Sequence, residues 1–432
     1  MSPAHRPTIA LPALLAALLL AAPAWGQPLH DALEAMLDGH QRLAAARADE
    51  RAAEAAAARA RGGYYPDLKF TGSYGRANEN RPMPTEGSDL NAQQVDLSLT
   101  QPLWDFGKTD AEVDKADLAR EQAATLAQST RQDLMLEGLA AYINLHRARR
   151  SLTYARQSVD NIRRQTGLEE SRVEVGAGMP TDVLQAKSQL AGAQARLSRA
   201  EGAMVAATNR YRTVFGDQPP EAAALQPVTV PFDRLPATLD DARVMARENN
   251  FQLRAMRLSE EIARAEVRRI AGADLAPKIN AVALARAKKD TDNIRGVQQE
   301  QVIKVEMTYP FNLGLAPIHA HDAAREAALA AESRVTDTSS VVEELVRNAW
   351  QSLATARDNL GHLENQARIS AEFLRLAREE RLHGRRSLID VLAGETNLIN
   401  AQSDAASAEA DVGIAAFTLL KAAGALDLDD IR

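Results

Sequence analysis

The sequence predicts a mainly α protein with a small transmembrane β part, built from two structural repeats of helix, strand, strand and long helical hairpin. Three observations carry this. Long stretches hold no proline and are rich in alanine and charged residues, a composition that favours extended helices packed through small side chains. A glycine and proline break followed by a seven-residue apolar repeat occurs twice, at residues 173–211 and again near the C-terminus, with a spacing of 391 − 183 = 208 residues. Between the helices, short segments alternate apolar and polar residues as strands do.

The totals narrow the function classes. The chain has 432 residues, a formal charge of −7, only 4% aromatic residues and no cysteine. The missing cysteine excludes disulfides, thiolate metal sites, cysteine nucleophiles and an N-terminal lipid on cysteine. Arginines are interspersed with acids, so nothing argues for nucleic acid as a partner. His5 and Arg6 precede an apolar run over residues 9–22, and Ala24 and Gly26 supply small residues before a cleavage point at Gln27, so residues 1–26 read as an export signal peptide. No later segment reaches the ~20 apolar residues of a membrane helix. Re-entry into a membrane would therefore need β-strands.

The first repeat, 27–216, opens with a helix from Leu29 to about Gly62, where Leu29, Ala32, Leu33, Met36 and Leu37 form one face. Strands follow at about 66–76 and 93–103. In the first, Leu68, Phe70, Gly72 and Tyr74 alternate with Lys69, Thr71, Ser73 and Gly75; in the second, Val95, Leu97 and Leu99 alternate with Asp96, Ser98 and Thr100. A soluble hairpin would show the same pattern. A helical hairpin spans 107–216, its outbound arm on the order of 100 Å long, with Gly138 and Gly167 as candidate breaks.

The hairpin turns at 176–181. Gly176, Gly178 and Pro180 stop one helix, and Thr181 or Asp182 can cap the next. The return arm carries Val183, Leu190, Leu197, Met204 and Tyr211 every seven residues, with Ala186, Ala193, Ala200 and Ala207 as a row of small residues beside them. A proline-rich linker, 217–238, separates the repeats. The second repeat, 239–424, has a poorly alternating strand at about 278–287, because Val282 and Leu284 oppose Ile279, and a better one at about 301–311. Its helical hairpin spans 313–424 and turns at 384–389 through Gly384 and Ser387. Its seam runs Val391, Leu398, Ala405, Val412 and Leu419. The acidic tail, 425–432, reads as surface.

Four strands in lipid would leave unpaired edges, which a bilayer does not tolerate. Three copies would supply twelve strands, within the known range for closed barrels, and would place their helical hairpins around one axis. The resulting homotrimer is a 12-stranded β-barrel continued by an α-helical barrel.

The chain resembles the TolC family of outer-membrane efflux and secretion channels. The resemblance rests on the signal peptide, Pro66-Asp67-Leu68, Gln101-Pro102-Leu103-Trp104-Asp105-Phe106-Gly107, the Gly176 turn with Thr181-Asp182-Val183-Leu184 and Ala186, and the Gly384 turn with Ser387 and Asp390-Val391-Leu392. It covers the mature chain and both repeats. Without cysteine, the chain falls nearer the non-lipidated branch.

The resemblance implies a passive trimeric exit duct in the outer membrane with a large periplasmic portion, serving a tripartite efflux or type I secretion system. Its partners would be outer-membrane lipid, a periplasmic adaptor and an inner-membrane pump, either an ATP-driven ABC or a proton-driven RND protein. It implies no enzyme activity and no cofactor. At the gate it implies Asp390 as a carboxylate ring and Arg386 as a linking cation, with Thr181 and Asp182 as partners. Ala393 stands where a second carboxylate often lies, which predicts a weaker constriction. Gly176, Gly178, Gly384 and Ser387 would form the adaptor-docking turns. Helix N-capping alone would also explain both aspartates. The rival class is a soluble periplasmic coiled-coil adaptor or scaffold, which is expected to carry one helical hairpin between β-rich domains rather than two hairpins with amphipathic strands.

Overall fold

The computed structural model describes residues 29–79, 88–216, 218–220, 225–291, 294–309 and 312–431. The signal segment, residues 80–87, parts of the linker, and residues 310–311 at the end of the expected strand 301–311 lie outside the described residues. Helix α1 (Leu29–Gly39) and helix α2 (Gln41–Arg61) stand where one helix is expected. The chain breaks at His40, whose imidazole accepts the Arg42 N–H at 3.1 Å and so caps the new helix. Strands β1 (Asp67–Glu79) and β2 (Ser88–Trp104) lead into helix α3 (Lys108–Glu174) and helix α4 (Pro180–Phe215).

The second repeat has the same order: α5 (Leu239–Asn249), α6 (Phe251–Asp274), β3 (Lys278–Thr291), β4 (Ile294–Thr308), α7 (Ala316–Leu382) and α8 (Leu388–Ala422). Asn250 divides α5 from α6 as His40 divides α1 from α2, and its side chain accepts the Leu253 N–H at 3.1 Å. Among the described residues no helix is long and apolar enough to cross a membrane.

α3 and α7 are each 67 residues long and unbroken. Gly138 and Gly167 therefore do not interrupt α3. Gly138 serves packing instead: a Cβ there would stand 2.6 Å from Leu33 Cδ2 and 3.2 Å from Met36 Sδ, so its absence lets α1 lie against α3.

The four strands form one antiparallel sheet in chain order, β1-β2-β3-β4. Directly paired residues share a face, so the register assigns the two faces. Phe70 pairs with Leu97, Leu97 with Ala285, Ala283 with Ile303 and Ala281 with Val305. That face is mainly apolar, with Gln101, Gln299 and Gln301 also on it, and it is open, with Phe70 70% and Ile303 89% exposed.

β3 is a full central strand. Beside Ile279 it places Ala281, Ala283, Ala285 and Ala287 on the apolar face, a row of methyl groups that alternation of large residues does not reveal. The opposite face is mainly polar, with Val282, Leu284 and Val302 among its polar residues. Arg286 lies between Asp96 at 2.9 Å and Glu300 at 3.3 Å, linking three strands across both repeats. One apolar and one polar face is the pattern of a barrel wall between lipid and a water-filled lumen. β1 and β4 are left as edges within the chain.

Beneath the sheet α3 is the axis of the helical layer. It meets α2 and α6 over its first turns, through Arg61–Asp117 at 2.7 Å and Lys115–Glu266 at 2.9 Å. Further along it meets α4 and α8, and α7 packs on α6 and then on α8. The short helices thus continue the return arms. At one junction the side-chain amide of Asn250, ahead of α6, donates to Ala422 O at the end of α8, at 3.0 Å.

The main core sits where these pieces meet. Leu33, Met36, Leu134, Leu139, Phe417 and Leu420 are buried there, and so are Leu426, Leu428 and Ile431. The tail is therefore docked rather than lying on the surface. Its aspartates alternate with apolar residues that insert into the core, and the buried Gln132 side chain donates to Leu426 O at 2.9 Å.

Candidate functional site at the hairpin tips

Both tips are built by one device. Gly176 and Gly384 adopt left-handed φ of 74° and 69°, and the next N–H reaches back five residues, Ala177 to Arg172 O and Arg385 to Glu380 O, each at 2.9 Å. This closes the C-terminus of α3 and of α7 with glycine in the position that favours it. Gly178 is needed for space, since a Cβ there would lie 2.9 Å from Val173 Cγ2.

The return helices start differently from the sequence expectation. Met179 precedes α4 without a side-chain cap, Pro180 fills the first turn, and neither Thr181 nor Asp182 caps. Ser387 caps α8 by accepting the Asp390 N–H at 3.2 Å. The Asp182 and Asp390 carboxylates are thus not used as caps. Among the described residues neither makes a hydrogen bond or ion pair within the chain, and Asp390 is exposed while Asp182 is half-buried.

Arg386 pairs with Glu380 at 2.7 Å and lies over the Phe373 ring at 5.2 Å. Within the protomer, then, its contacts are on α7 and not with Thr181 or Asp182. The α4 seam packs with its small row innermost, whereas the α8 seam buries Val391, Val412 and Leu419 as deeply as its small row. Ala186 and Ala193 are fully buried in a cluster with Val159, Ile162, Leu388 and Leu392, while Leu190 and Leu197 flank it and Val183 is half-buried. Val391 and Leu398 join Leu374 and Ala377, and Val412 lies deeper, in the core around α5 and α7. Leu388 and Leu392 thereby carry the second hairpin onto the first.

Sequence reasoning missed the charges at this crossing. Glu395 on α8 is 1% exposed; Arg378 of α7 pairs with it, and the Asn161 side chain of α3 donates to it at 3.2 Å. Glu169 on α3 is 4% exposed and is paired by Arg381 of α7, with Arg172 of its own helix at 3.3 Å. A buried carboxylate is tolerated only when paired and hydrogen-bonded, so these contacts fix how the two hairpins meet. The available signal was position. Glu169 follows Ile162 and Thr166 on one buried helical stripe, and Glu395 follows Leu388 and Leu392 on another. Among the described residues no group of His, Asp and Glu could hold a metal ion.

A half-open strand sheet with one lipid-type face, rooted on paired helical hairpins in two repeats, defines a membrane channel protomer. The family described as outer membrane efflux protein matches residues 32–217 and 242–425, and the chain belongs to that family. It is 26% identical over 384 residues to the outer membrane protein TolC of Escherichia coli (strain K12), covering 86% of this chain and 77% of the relative. It is 26% identical over 395 residues to the outer membrane efflux protein BepC of Brucella suis biovar 1 (strain 1330), covering 90% and 83%. The solved outer-membrane channel OprN superposes with a TM-score of 0.79 at 21% identity, covering 92% of this chain and 90% of that one. The protein is an outer-membrane efflux channel, not an enzyme, and the soluble adaptor reading falls. Channels of this family are trimeric and work with an adaptor and an inner-membrane pump.

Proposed function

We propose that this chain forms an exit duct closed at its periplasmic end by the polar links between its two hairpins. The observation that carries the reading is the pair of buried carboxylates, Glu169 and Glu395, each held by an arginine of α7. Opening requires α7 and α8 to move relative to α3, which separates Arg381 from Glu169 and Asn161 from Glu395, while Arg378 and Glu395 move together on the second hairpin. A buried pair is costly to break unless something replaces it, so the duct rests closed until a docked adaptor and pump supply that free energy. Residues 1–26 act as a cleaved export signal, and the apolar sheet face meets outer-membrane lipid.

In this reading Asp390 lines the narrowest part of the lumen, three copies making one acidic ring. Its carboxylate is exposed and not engaged in capping, which supports a role toward permeating cations. Arg386 exchanges Glu380 for Asp182 or Thr181 of the adjacent copy. The turns at Gly176, Gly178, Gly384 and Ser387 receive the adaptor, since at Gly176 and Gly384 nothing stands within 4 Å of an added Cβ and the backbone is open to close approach. The pump is ATP-driven or proton-driven.

The absence of cysteine makes a direct test clean. Glu169→Cys and Arg381→Cys, joined by a short thiol crosslinker, should abolish export in cells while leaving the trimer in the outer membrane. Export at the wild-type level in crosslinked cells would overturn the gate. In planar bilayers, Asp390→Ala should reduce cation preference and divalent block. An unchanged preference removes the ring assignment and leaves the hairpin links standing.

A further inference from the structure

At the root of the first repeat the sheet pairing slips. Gln101 pairs with Ala281 and Pro102 with Asn280, but Trp104 pairs with Ile279, so one extra residue is accommodated at Leu103. Such a bulge re-aims the side chain that follows it. It brings Trp104 onto the apolar face, in one row with Ile279 and Met307. Phe106 and Gly107 then take left-handed φ of 55° and 82° and turn the chain into α3. A left-handed phenylalanine is uncommon and is kept only where surrounding structure demands it. Its ring meets Trp104 edge to face, with centroids 6.0 Å apart.

These rings, Tyr64, Asp105 and Asp110 line a cavity of about 190 Å3. Asp105 is internally engaged, accepting the Thr109 N–H at 2.9 Å. Asp110 accepts the Tyr64 hydroxyl at 2.7 Å through Oδ1, leaving Oδ2 available. The site is electronegative: the Tyr64 phenol is pushed up to about 12, first by the Asp110 hydrogen bond, then by burial and by the charges of Asp110, Asp114 and Asp105. From behind, α6 approaches closely at Gly272, where a Cβ would stand 2.9 Å from Phe106 O.

The duplication supplies an internal control. At the offset of 208 residues, Trp104, Asp105, Phe106 and Asp110 correspond to Asn312, Leu313, Gly314 and Ile318, and the residue two before the matching proline is Leu275 rather than Tyr64. The second repeat passes from β4 to α7 without these groups. Passing from a strand into a long helix therefore does not in itself require these groups.

We infer that this cavity binds the primary ammonium of a phosphatidylethanolamine-type headgroup from the periplasm-facing leaflet, with one site per protomer. Aromatic faces attract a cation, and a carboxylate oxygen accepts its N–H in a charge-assisted bond. The cavity sits where the apolar sheet face ends and the helices begin, the level at which headgroups lie against a barrel. The inference rests on that face being the lipid face. A quaternary ammonium carries no N–H for Asp110, so phosphatidylcholine should bind less well, and phosphatidylglycerol should bind least.

The test uses the intact, detergent-purified channel and native mass spectrometry with added lipids. The wild type should retain up to three phosphatidylethanolamine molecules per trimer, with about tenfold preference over phosphatidylglycerol, the scale of one charge-assisted hydrogen bond. Asp110→Asn keeps the Tyr64 acceptor and should lose that preference, and Phe106→Ala should weaken it. Equal retention of both lipids by the wild type, or an unchanged preference in Asp110→Asn, overturns the assignment. Competition by free ethanolamine as strong as by the lipid overturns the lipid as its source. Quenching of Trp104 by bromine-labelled acyl chains, in a Trp350→Phe background, reports the lipid face independently of headgroup. Quenching without selectivity would remove the headgroup site alone, and no quenching would remove the lipid-face reading.

Discussion

Arg381 on α7 hydrogen-bonds the buried carboxylate of Glu169 on α3, joining two long helices through residues 212 positions apart in sequence. The contact crosses from one repeat to the other close to both turns. Removing Glu169 strands Arg381, and removing Arg381 leaves Glu169 with Arg172 alone, whereas removing both does neither. Glu169→Gln or Arg381→Met alone should raise single-channel conductance severalfold in planar bilayers, if the link holds the mouth narrow. The double variant should be better folded than either single variant, by roughly 1–3 kcal/mol of coupling, as read from trimer melting. Additive losses would show that the two residues act separately.

The two glycines inside α3 should respond oppositely to alanine. At Gly167 nothing lies within 4 Å of an added Cβ, so the better helix former should stabilise by up to ~1 kcal/mol. At Gly138 the added carbon would collide with Leu33 and should cost about 1–3 kcal/mol. Gly424→Ala should be worse, on the order of 3 kcal/mol, because its φ is +74° and the Cβ would stand 2.3 Å from the backbone oxygen of Asn249. Thermal melting of the three variants would rank them.

Glu266 ties α6 to α3, and its carboxyl is held down to about 2, first by the Arg269 hydrogen bond and also by Lys115. A carboxylate with a depressed folded-state pKa stabilises above its ordinary value and loses that contribution as pH falls through the folded value. Glu266→Gln should therefore melt lower than wild type at neutral pH. The gap should close between about pH 4.5 and about pH 2. Melting curves across that range would show a constant gap if the pairing contributes nothing.

The tail makes a further case. Leu426→Ala should cost about 2–4 kcal/mol as a buried truncation, while the exposed Asp429→Asn should stay within about 0.5 kcal/mol. Comparable losses at both positions would contradict a docked tail.

Much of this architecture was legible because each repeat is written in strong local signals. Two glycine turns, heptad seams and the β1, β2 and β4 alternation all reflect backbone geometry with short-range causes. β3 read poorly because alanine carries little hydropathy contrast, though its small side chains line the same face as Leu97 and Ile303. The docked tail was hidden by its aspartates. The capping alternative for Asp182 and Asp390 fails although both have the right chemistry, because Met179 and Ser387 hold the N-cap positions. Glu169 and Glu395 escaped notice because a carboxylate on a helix defaults to solvent. Only the packing of α7 against its neighbours reveals them as buried.

The sheet also sets a schedule for making the molecule. β1 and β2 are close in sequence, as are β3 and β4, so each hairpin can pair early. The β2–β3 seam must instead unite residues such as Asp96 and Arg286, 190 positions apart, across an entire helical hairpin and the linker. Contacts of that separation form late, because the intervening chain must be ordered first. Two hairpins with apolar faces therefore travel unjoined until α3 and α6 bring their roots together. Even then β1 and β4 wait for neighbouring copies. Completion of the wall and association of subunits are therefore coupled, because the outer strands of one copy are closed only by those of the next.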